Sequence, residues 1–479
     1  MFTKQLEKID TNCYRLPKTG KMLVEGKIYV NDNLYPHIFK DRSLEQLAEA
    51  CELTGVIEPI VGMPDIHEGF GLPIGGVMAM DSEKGLISAG SVGMDINCGV
   101  RLIRTDIPYD PKKMDKSFIR KIMIEIENRI PTGVGKKAKR KKLTMDTFEK
   151  VVTKGSALLT DKGYGFPEDK EATEENGCLK GASLSSVSSR AIQRGASQLA
   201  TLGGGNHFIE IQHITEVFDE KLGEEFGLKK GNLAVMIHTG SRGFGHQICT
   251  DYTNILWQAG KKYGVYVPRM GLAACPISSK EGKDYFSAMA CAVNFAFSNR
   301  QLIVHDVRQA FEAVFKKSVK SLGMELVYDV AHNIAKFETF RNKKILIHRK
   351  GATRALCPGH PDNPEKYKNT GHPAIIPGSM GTASFVLVGT KKAEDTFFSV
   401  NHGSGRMMSR GQARRTISKE QFEKSMGEIL YNTRSFKDVL DEAPDAYKNI
   451  YDVVDTLVEA GITKKVAMLK PLGVIKGAD

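Results

Sequence analysis

Asp95 and Cys98, three residues apart in Gly93-Met-Asp-Ile-Asn-Cys-Gly99, can bring a carboxylate and a thiol to one site if the segment turns. Three remote histidines, His207, His238 and His332, also have glycine-rich surroundings. A thiolate can bind or bridge divalent cations, imidazole suits Zn, Mn, Fe or Ni, and a carboxylate biases the set toward harder ions. A lone histidine or cysteine is commonly structural, so the signal lies in the combination. His402 differs, because Asn401, Gly403, Ser404, Gly405 and Arg406 enclose it. An imidazole can act as a nucleophile at phosphorus, and an adjacent arginine with glycine N–H groups would stabilise the charge that develops on the phosphoryl oxygens. Lys476, near the C-terminal end, follows the apolar pair Val474-Ile475, which argues that this tail is docked.

Nucleotide signatures of other kinds are absent. Gly135-Lys136 is followed by Lys137, so there is no G-x-x-x-x-G-K-[ST], and no complete G-x-G-x-x-G occurs. The lysine-nucleophile motif K-x-D-G is also missing. A P-loop kinase, a Rossmann dehydrogenase and a lysine-type ligase are thereby disfavoured.

The residues must be carried by a mixed fold. Leu233–Ile237 and Leu326–Val330 are short apolar runs that deliver His238 and His332 at their C-terminal ends, as buried strands ending in functional loops do. Phe208–Gln212, Lys344–His348, Ser384–Val388 and Phe397–Val400 read as further strands. Helical spacing is clearest over 43–54, 116–130, 186–199, 283–318 and 418–431. Glycine makes up 47 of 479 residues, clustered around His, Asn and Ser from position 62 to 406, which suggests ligand-lining loops. The reading is an α+β fold in which a central β core and surrounding helices form one large catalytic domain over residues 1–479. No repeat of fixed period and no Pro/Ser-rich linker divides it.

Lys and Arg total 68 against 56 Asp and Glu, a net charge of +12, which leans toward an acidic partner such as nucleic acid. The densest basic run, Lys136–Lys142, reads as a solvated flank after a glycine turn. The eight cysteines are irregularly spaced with no C-x-x-C, and no stretch approaches 18 uninterrupted apolar residues. The start, MFTKQLEKID, lacks a signal-peptide h-region. A cytoplasmic protein without a membrane span is the expectation.

Seven segments together resemble the RtcB-type RNA ligases, in the family's order and over essentially the whole chain. They are Gly93–Gly99, Gly203-Gly-Gly-Asn-His-Phe-Ile-Glu210, His238-Thr-Gly-Ser-Arg-Gly243, Asp329-Val-Ala-His-Asn333, Pro377-Gly-Ser-Met380, Asn401-His-Gly-Ser-Gly-Arg406 and Val474-Ile-Lys-Gly477. The resemblance implies an RtcB-like fold and a GTP- and manganese-dependent ligase joining RNA 3′-phosphate or 2′,3′-cyclic phosphate ends to 5′-hydroxyl ends, in tRNA splicing or RNA repair. It implies that Cys98 bridges two manganese ions, with His238 and His332 at one and Asp95 and His207 at the other. His402 would take GMP from GTP. Asn206, Glu210, Asn333, Pro377, Gly378, Ser379, Met380, Ser384, Gly403, Ser404, Gly405, Arg406 and Lys476 match positions that hold the guanylate, with Glu210 reading the guanine N–H edge. Asp65 and His67, in Pro64-Asp-Ile-His67, match a further family motif and are assigned to orienting the terminal hydroxyl. The implied order is opening of a cyclic phosphate by metal-activated water, guanylylation of His402, transfer of GMP to the RNA 3′-phosphate, and attack by the 5′-hydroxyl. The implied partners are RNA and the activator archease.

Basic residues should line the RNA path, and Arg242 is the nearest candidate for an RNA phosphate. A dinuclear metal phosphohydrolase or cyclic phosphodiesterase would use the same Asp, Cys and His set, and zinc would also suit it. Such a hydrolase has no need of the His402 loop or of a docked C-terminal lysine. A non-catalytic RNA-binding protein leaves the ligand set unexplained, and 8% aromatics with one Trp offers no obvious stacking platform.

Overall fold

Alternation along the central strands decides which side chains meet the helices and which meet the site. The computed structural model describes residues 6–139, 143–432 and 436–477; Arg140–Lys142, the end of the basic run, lie outside them. One sheet has seven strands in the order β1 (Glu7–Asp10), β2 (Cys13–Leu16), β3 (Gly26–Tyr29), β4 (Val56–His67), β5 (Ile74–Asp81), β13 (Lys343–Lys350) and β12 (Asn333–Phe340). A second runs β11 (Glu325–Ala331), β7 (Gly99–Pro108), β9 (Asn232–Thr239), β8 (Phe208–Val217), β19 (Thr463–Lys476), β16 (Ser384–Gly389) and β15 (Ala374–Ile376), with β18 (Leu430–Tyr431) parallel to β19. Two small pairs, β6 (Leu86–Ser88) with β10 (Ala274–Pro276) and β14 (Ala352–Arg354) with β17 (Ser399–Asn401), complete the sheets among the described residues. The second sheet is barrel-like, its terminal strands β11 and β15 lying close together.

β9 shows the sorting. Leu233, Val235 and Ile237 join a core with Ile119, Ile122, Met123 and Ile126 of helix Lys116–Glu127 and with Ile303, Val307 and Phe311 of helix Lys280–Phe315. Ala234 and Met236 face the opposite core, with Val100, Leu102 and Val330. Because strand side chains alternate, His238 shares the Ala234–Met236 face and points away from the helices. The apolar run is continuous because both faces are covered.

The α+β architecture with a central β core is as the sequence indicates, with shifted boundaries. The long helix runs Lys280–Phe315, capped by Ser279, whose side chain accepts from the Gly282 N–H, and ended by left-handed Lys316. The helix expected over 186–199 shortens to Ser189–Gly195, and that over 418–431 to Lys419–Met426, which starts on a Ser418–Gln421 capping box. The region 43–54 yields Ser43–Ala50. The strand expected at Phe397–Val400 is instead Ser399–Asn401, because Phe397 and Phe398 both have φ near +50°, which extended backbone does not allow.

Beneath the second sheet lies a fully buried ion cluster. Asp329 of β11 accepts from Arg101 Nε of β7 at 2.6 Å and from Arg300 Nε of the long helix at 2.9 and 3.0 Å. Arg300 Nη1 also donates to the Asn97 and Thr239 carbonyls, at 2.9 and 2.8 Å, and Nη2 to Asn97 Oδ1 at 2.9 Å. Removing the carboxylate that the two buried guanidiniums share leaves uncompensated charge, at a cost of roughly 3–5 kcal/mol. Asp329→Ala is therefore expected to lower the unfolding free energy from denaturant titration by an amount of that order. An unfolding free energy within about 0.5 kcal/mol of the parent would show that the cluster is not holding the fold.

Candidate active site

The antiparallel register brings four sequence-distant residues to one end of four neighbouring strands. Cys98 immediately precedes β7, His207 precedes β8, His238 is the penultimate residue of β9, and His332 follows β11. Gly99 pairs with Thr239 and with Ala331, while Phe208 pairs with His238. The next strand continues the row, with Lys476 of β19 opposite Phe208. Asp95 joins through a tight turn in which the Cys98 N–H donates to the Asp95 carbonyl at 2.9 Å and Asn97 takes a left-handed φ of 51°. The turn is the physical content of the D-x-x-C spacing.

The donors converge in two overlapping groups, Cys98 with His238 and His332, and Asp95 with Cys98 and His207. Cys98 Sγ lies 3.2 Å from His238 Nε2 and 3.4 Å from His207 Nε2, and His238 Nε2 lies 3.3 Å from His332 Nε2. A tetrahedral ion with metal–nitrogen bonds of roughly 2.0–2.1 Å and metal–sulfur bonds of roughly 2.3 Å spaces its donors about 3.3–3.6 Å apart. The donor set therefore fits divalent cations, with the thiol shared. The His207 Nδ1 faces the Leu202 carbonyl at 3.1 Å and Nε2 faces Asp95 Oδ2 at 2.8 Å, so the ring would bind a cation through Nε2 once its proton sits on Nδ1. Asp95 Oδ1 accepts from the Ser241 N–H and hydroxyl, at 3.0 and 3.3 Å.

Burial tunes the histidines in the direction a cation needs, and the thiol against it until a cation displaces its proton. Desolvation holds His238 and His332 well below the ordinary imidazole value and lowers His207, so all three keep neutral, ligating rings at pH 7. Burial, with the Asp95 carboxylate beside it, pushes the Cys98 thiol well above its usual range. Burial also acts to raise Asp95, but the His207 hydrogen bond and charge and the Arg242 guanidinium outweigh it, so it stays a carboxylate.

His402 enters from the other side of the cleft, directly after β17, with its ring centroid 4.9 Å from that of His332. Asp65 of β4 lies fully buried beneath it. Its Oδ2 is 2.6 Å from His402 Nδ1 and accepts the His402 backbone N–H at 3.0 Å. This pairing makes Nδ1 the protonated nitrogen and leaves the lone pair on Nε2. Asp65 thus contacts the histidine rather than lining the open cleft.

A cleft of about 380 Å³ joins the two sides, in the size range of small-molecule sites. Asn206, Asn333, Pro377–Met380, Gly403–Arg406 and Lys476 line it together with His402, Asp95, Cys98, His238 and His332. Glu210 and Ser384 lie beneath the lining. Glu210 is on the Phe208 face of β8, its Oε1 without a described partner, and burial raises its pKa to about 8. Ser384 accepts from Gln212 Nε2 at 3.1 Å and from the Gly378 N–H at 3.2 Å. Asn333 braces the turn, donating to the Asp95 carbonyl at 3.1 Å and accepting from the Gly351 N–H at 3.0 Å. Arg242 packs behind His207, its Nη1 3.3 Å from Nδ1, rather than standing free on the surface.

The cleft also contains residues that the sequence pattern did not single out. Buried Glu442 lies 3.2 Å from Arg406 Nη1 and 3.3 Å from Lys476 Nζ, and accepts the Tyr447 hydroxyl at 2.5 Å, so it ties the docked tail to the His402 loop. Nothing in the spacing around Leu440-Asp-Glu marks it. Lys350 ends β13 on the cleft wall with Nζ bonded to the Phe70 and Gly90 carbonyls, and burial lowers its pKa to about 7. A charged residue at a strand end before a glycine, as in His238-Thr-Gly, is the signal that could have found it.

The family model for tRNA-splicing ligase RtcB matches residues 46–477. The tRNA-splicing ligase RtcB of Thermococcus kodakarensis is 45% identical over 480 residues, covering 98% of this chain and 99% of that protein. That of Archaeoglobus fulgidus is 46% identical over 481 residues with the same coverage. The RNA-splicing ligase RtcB homolog 1 of Entamoeba dispar is 41% identical over 512 residues, covering 99% of this chain and 94% of its own.

Because a ligating thiol must lose its proton, divalent-cation uptake should release protons and tighten as pH rises from 6 to 8. Metal analysis of the dialysed protein should give two ions per chain, one in His332→Ala and fewer than one in Cys98→Ser. Unchanged stoichiometry in Cys98→Ser would rule out the shared thiol.

Proposed function

Since the chain belongs to the tRNA-splicing ligase RtcB family, we propose that it is an RNA ligase joining 3′-phosphate or 2′,3′-cyclic phosphate ends to 5′-hydroxyl ends at the expense of GTP. The whole chain, residues 1–479, acts as one catalytic domain on this reading. Its substrates are tRNA halves or broken RNA, its compartment is the cytoplasm, and archease is its activator. The observation that carries the proposal is the Asp65–His402 pair, 2.6 Å apart, set in the same cleft as a Cys, His and Asp donor cluster. Among the described residues no helix is long and apolar enough to cross a membrane.

Cys98, His238 and His332 would hold one manganese ion and Asp95, Cys98 and His207 a second. Such ions would supply Lewis-acid stabilisation of phosphoryl oxygens when bound. The protein's own residues supply the rest. Asp65 keeps the His402 proton on Nδ1, so Nε2 attacks the α-phosphorus of GTP, a P–N bond forms and pyrophosphate leaves. The carboxylate also offsets the positive charge that develops on the ring. Arg406, held by Glu442, Tyr447 and the Met408 carbonyl, lines the phosphate end of the cleft as a fixed cation. An RNA 3′-phosphate oxygen then displaces His402 from the GMP phosphorus, giving an RNA(3′)pp(5′)G end. Attack by the 5′-hydroxyl on the RNA phosphorus releases GMP and closes the phosphodiester. Glu210 fits the guanine edge, because two N–H donors would favour its charged form and reverse the effect of burial.

Incubation with labelled GTP and manganese should give an acid-labile GMP adduct that peptide mapping places on His402. His402→Ala should abolish it, and Asp65→Asn should slow its formation about 10²- to 10⁴-fold. Absence of any adduct in metal-loaded protein supplied with archease would overturn the ligase reading. Glu210 gives an independent check. A carboxyl whose folded pKa is about 8 against an ordinary 4.5 withdraws stability as pH rises through that interval. The melting temperature of Glu210→Gln relative to the parent should therefore climb between pH 4.5 and 8 and level off above, while its KM for GTP rises. A flat difference across that range would remove the buried carboxyl from the account.

A further inference from the structure

β4 loses its ladder at the residue that holds His402. It pairs with β3 as far as Gly62 and with β5 at Val61 and Gly62, and pairing with β5 resumes only at His67, opposite Ile74. Residues 63–66 therefore stand opposite Gly75 alone, a bulge that re-aims side chains and leaves carbonyls without ladder donors. Asp65 stands in this interval, fully buried. Its Oδ2 accepts from His402 Nδ1 at 2.6 Å and from the His402 and Gly403 backbone N–H groups at 3.0 and 3.4 Å, while Oδ1 has no partner among the described residues. The carboxylate is anchored only toward the His402 loop, so its direction depends on the backbone that carries it.

One ammonium takes over from the missing ladder. Carbonyls two residues apart point to the same side of an extended strand, and Lys448 Nζ donates to those of Pro64 and Ile66 at 3.0 and 2.6 Å. The Asp65 carbonyl between them faces His67 Nδ1 at 2.8 Å, so the peptide planes on both sides of the Asp65 Cα are fixed. The backbone N–H of Lys448 donates to the Gly405 carbonyl at 2.9 Å, beside an antiparallel bridge between Arg406 and Tyr447. A single residue thus grips the His402 loop with its main chain and the bulge beneath that loop with its side chain. Lys448 is only 5% exposed, and burial lowers its pKa to about 8 against the pull of Asp65 and Asp41, so at pH 7 it is still chiefly an ammonium. An apolar chain of the same length would fill the space without desolvating a cation, but it would leave two carbonyls unbonded.

Resting on the reading of His402 as the group that takes GMP, we propose that Lys448 is a positioning residue for that step. It supplies the hydrogen bonds that the interrupted strand lacks and so holds the Asp65 carboxylate in line with His402 Nδ1. Lys448 lies on the wall of a separate cavity of about 390 Å³, outside the lining of the catalytic cleft, and it reaches His402 only through Asp65 and the loop backbone.

A double-mutant cycle on the metal-loaded full chain, read as the rate of GMP-adduct formation, tests this. Lys448→Met should lower the maximal rate about 10- to 100-fold, the effect of a small misplacement of a reacting group. The GTP concentration giving half the maximal rate and the number of bound metal ions should match the parent. With Asp65→Asn already in place, the same substitution should cost less than about threefold, because the charge-assisted bond it aligns is gone. Lys448→Gln, which keeps N–H donors on a shorter stem, carries the same cycle where the methionine variant does not fold. An equal loss in both backgrounds, a parental maximal rate, or a loss confined to GTP affinity would overturn the proposal while leaving the ligase reading intact. A parent protein that forms no adduct would bring both down together.

Discussion

Arg300 is the residue on which the geometry of the site depends. Its guanidinium, buried on the long helix, bonds the carbonyl of Asn97 inside the D-x-x-C turn, the carbonyl of Thr239 beside His238, and the carboxylate of Asp329, three residues before His332. Three segments that each deliver a candidate ligand are thereby referred to one rigid, planar group with fixed donor directions. Desolvating a guanidinium is costly, and the Asp329 carboxylate compensates it, while Arg101 shares the same carboxylate from the adjacent strand. An apolar residue of similar size could fill the space, but it could not set the relative positions of three backbone segments. Positional accuracy of this kind is what a cluster of donors needs before any cation arrives.

The second constraint is that the chemistry is divided between the sheets. Cys98, His207, His238 and His332 sit in one row at the end of the barrel-like sheet, whereas Asp65 is carried by the seven-stranded one and His402 follows the small β14–β17 pair. Short backbone bonds tie the halves together. The Asn97 N–H donates to the Asn333 carbonyl at 2.7 Å, and the Ala352 N–H donates to the His332 carbonyl at 3.2 Å. His402 is thus registered against the donor row through main chain, which rotamer changes do not alter. Glu442 does the corresponding work from the third side by bridging Arg406 of the His402 loop and Lys476 of the last strand.

Much of this was legible in the sequence, for identifiable reasons. A turn of three residues joins Asp95 to Cys98, and the apolar runs before His238 and His332 are buried strands whose register is forced by two covered faces. The docking of Lys476 followed from the apolar Val474-Ile475, which the structure buries in opposing cores. What stayed hidden depends on contacts between residues hundreds of positions apart. The Asp65–His402 bond spans 337 residues, and Arg300 meets Asn97 across 203. Glu442 belongs to no short pattern, since it acts on side chains brought near only by the fold. The left-handed pair Phe397-Phe398 misled the strand assignment, because bulky residues rarely take that conformation and apolar pattern alone cannot reveal it.

The glycine clusters carry a different lesson from the one their composition suggests. They were read as loops whose N–H groups close on a ligand, yet at two positions next to the chemistry the missing side chain makes room for a protein group. A Cβ on Gly240 would stand 2.5 Å from both oxygens of Asp95, inside the space the carboxylate occupies. At Gly405, with φ of +71°, a Cβ would lie 2.3 Å from the Asp65 carbonyl oxygen, so a side chain there would displace the strand that holds His402 in its tautomer. Glycine beside a functional residue therefore marks a place where two backbone or side-chain elements must approach more closely than a methyl group allows. Such positions are as restrictive as the ligands themselves, because no rotamer of any other residue relieves the contact.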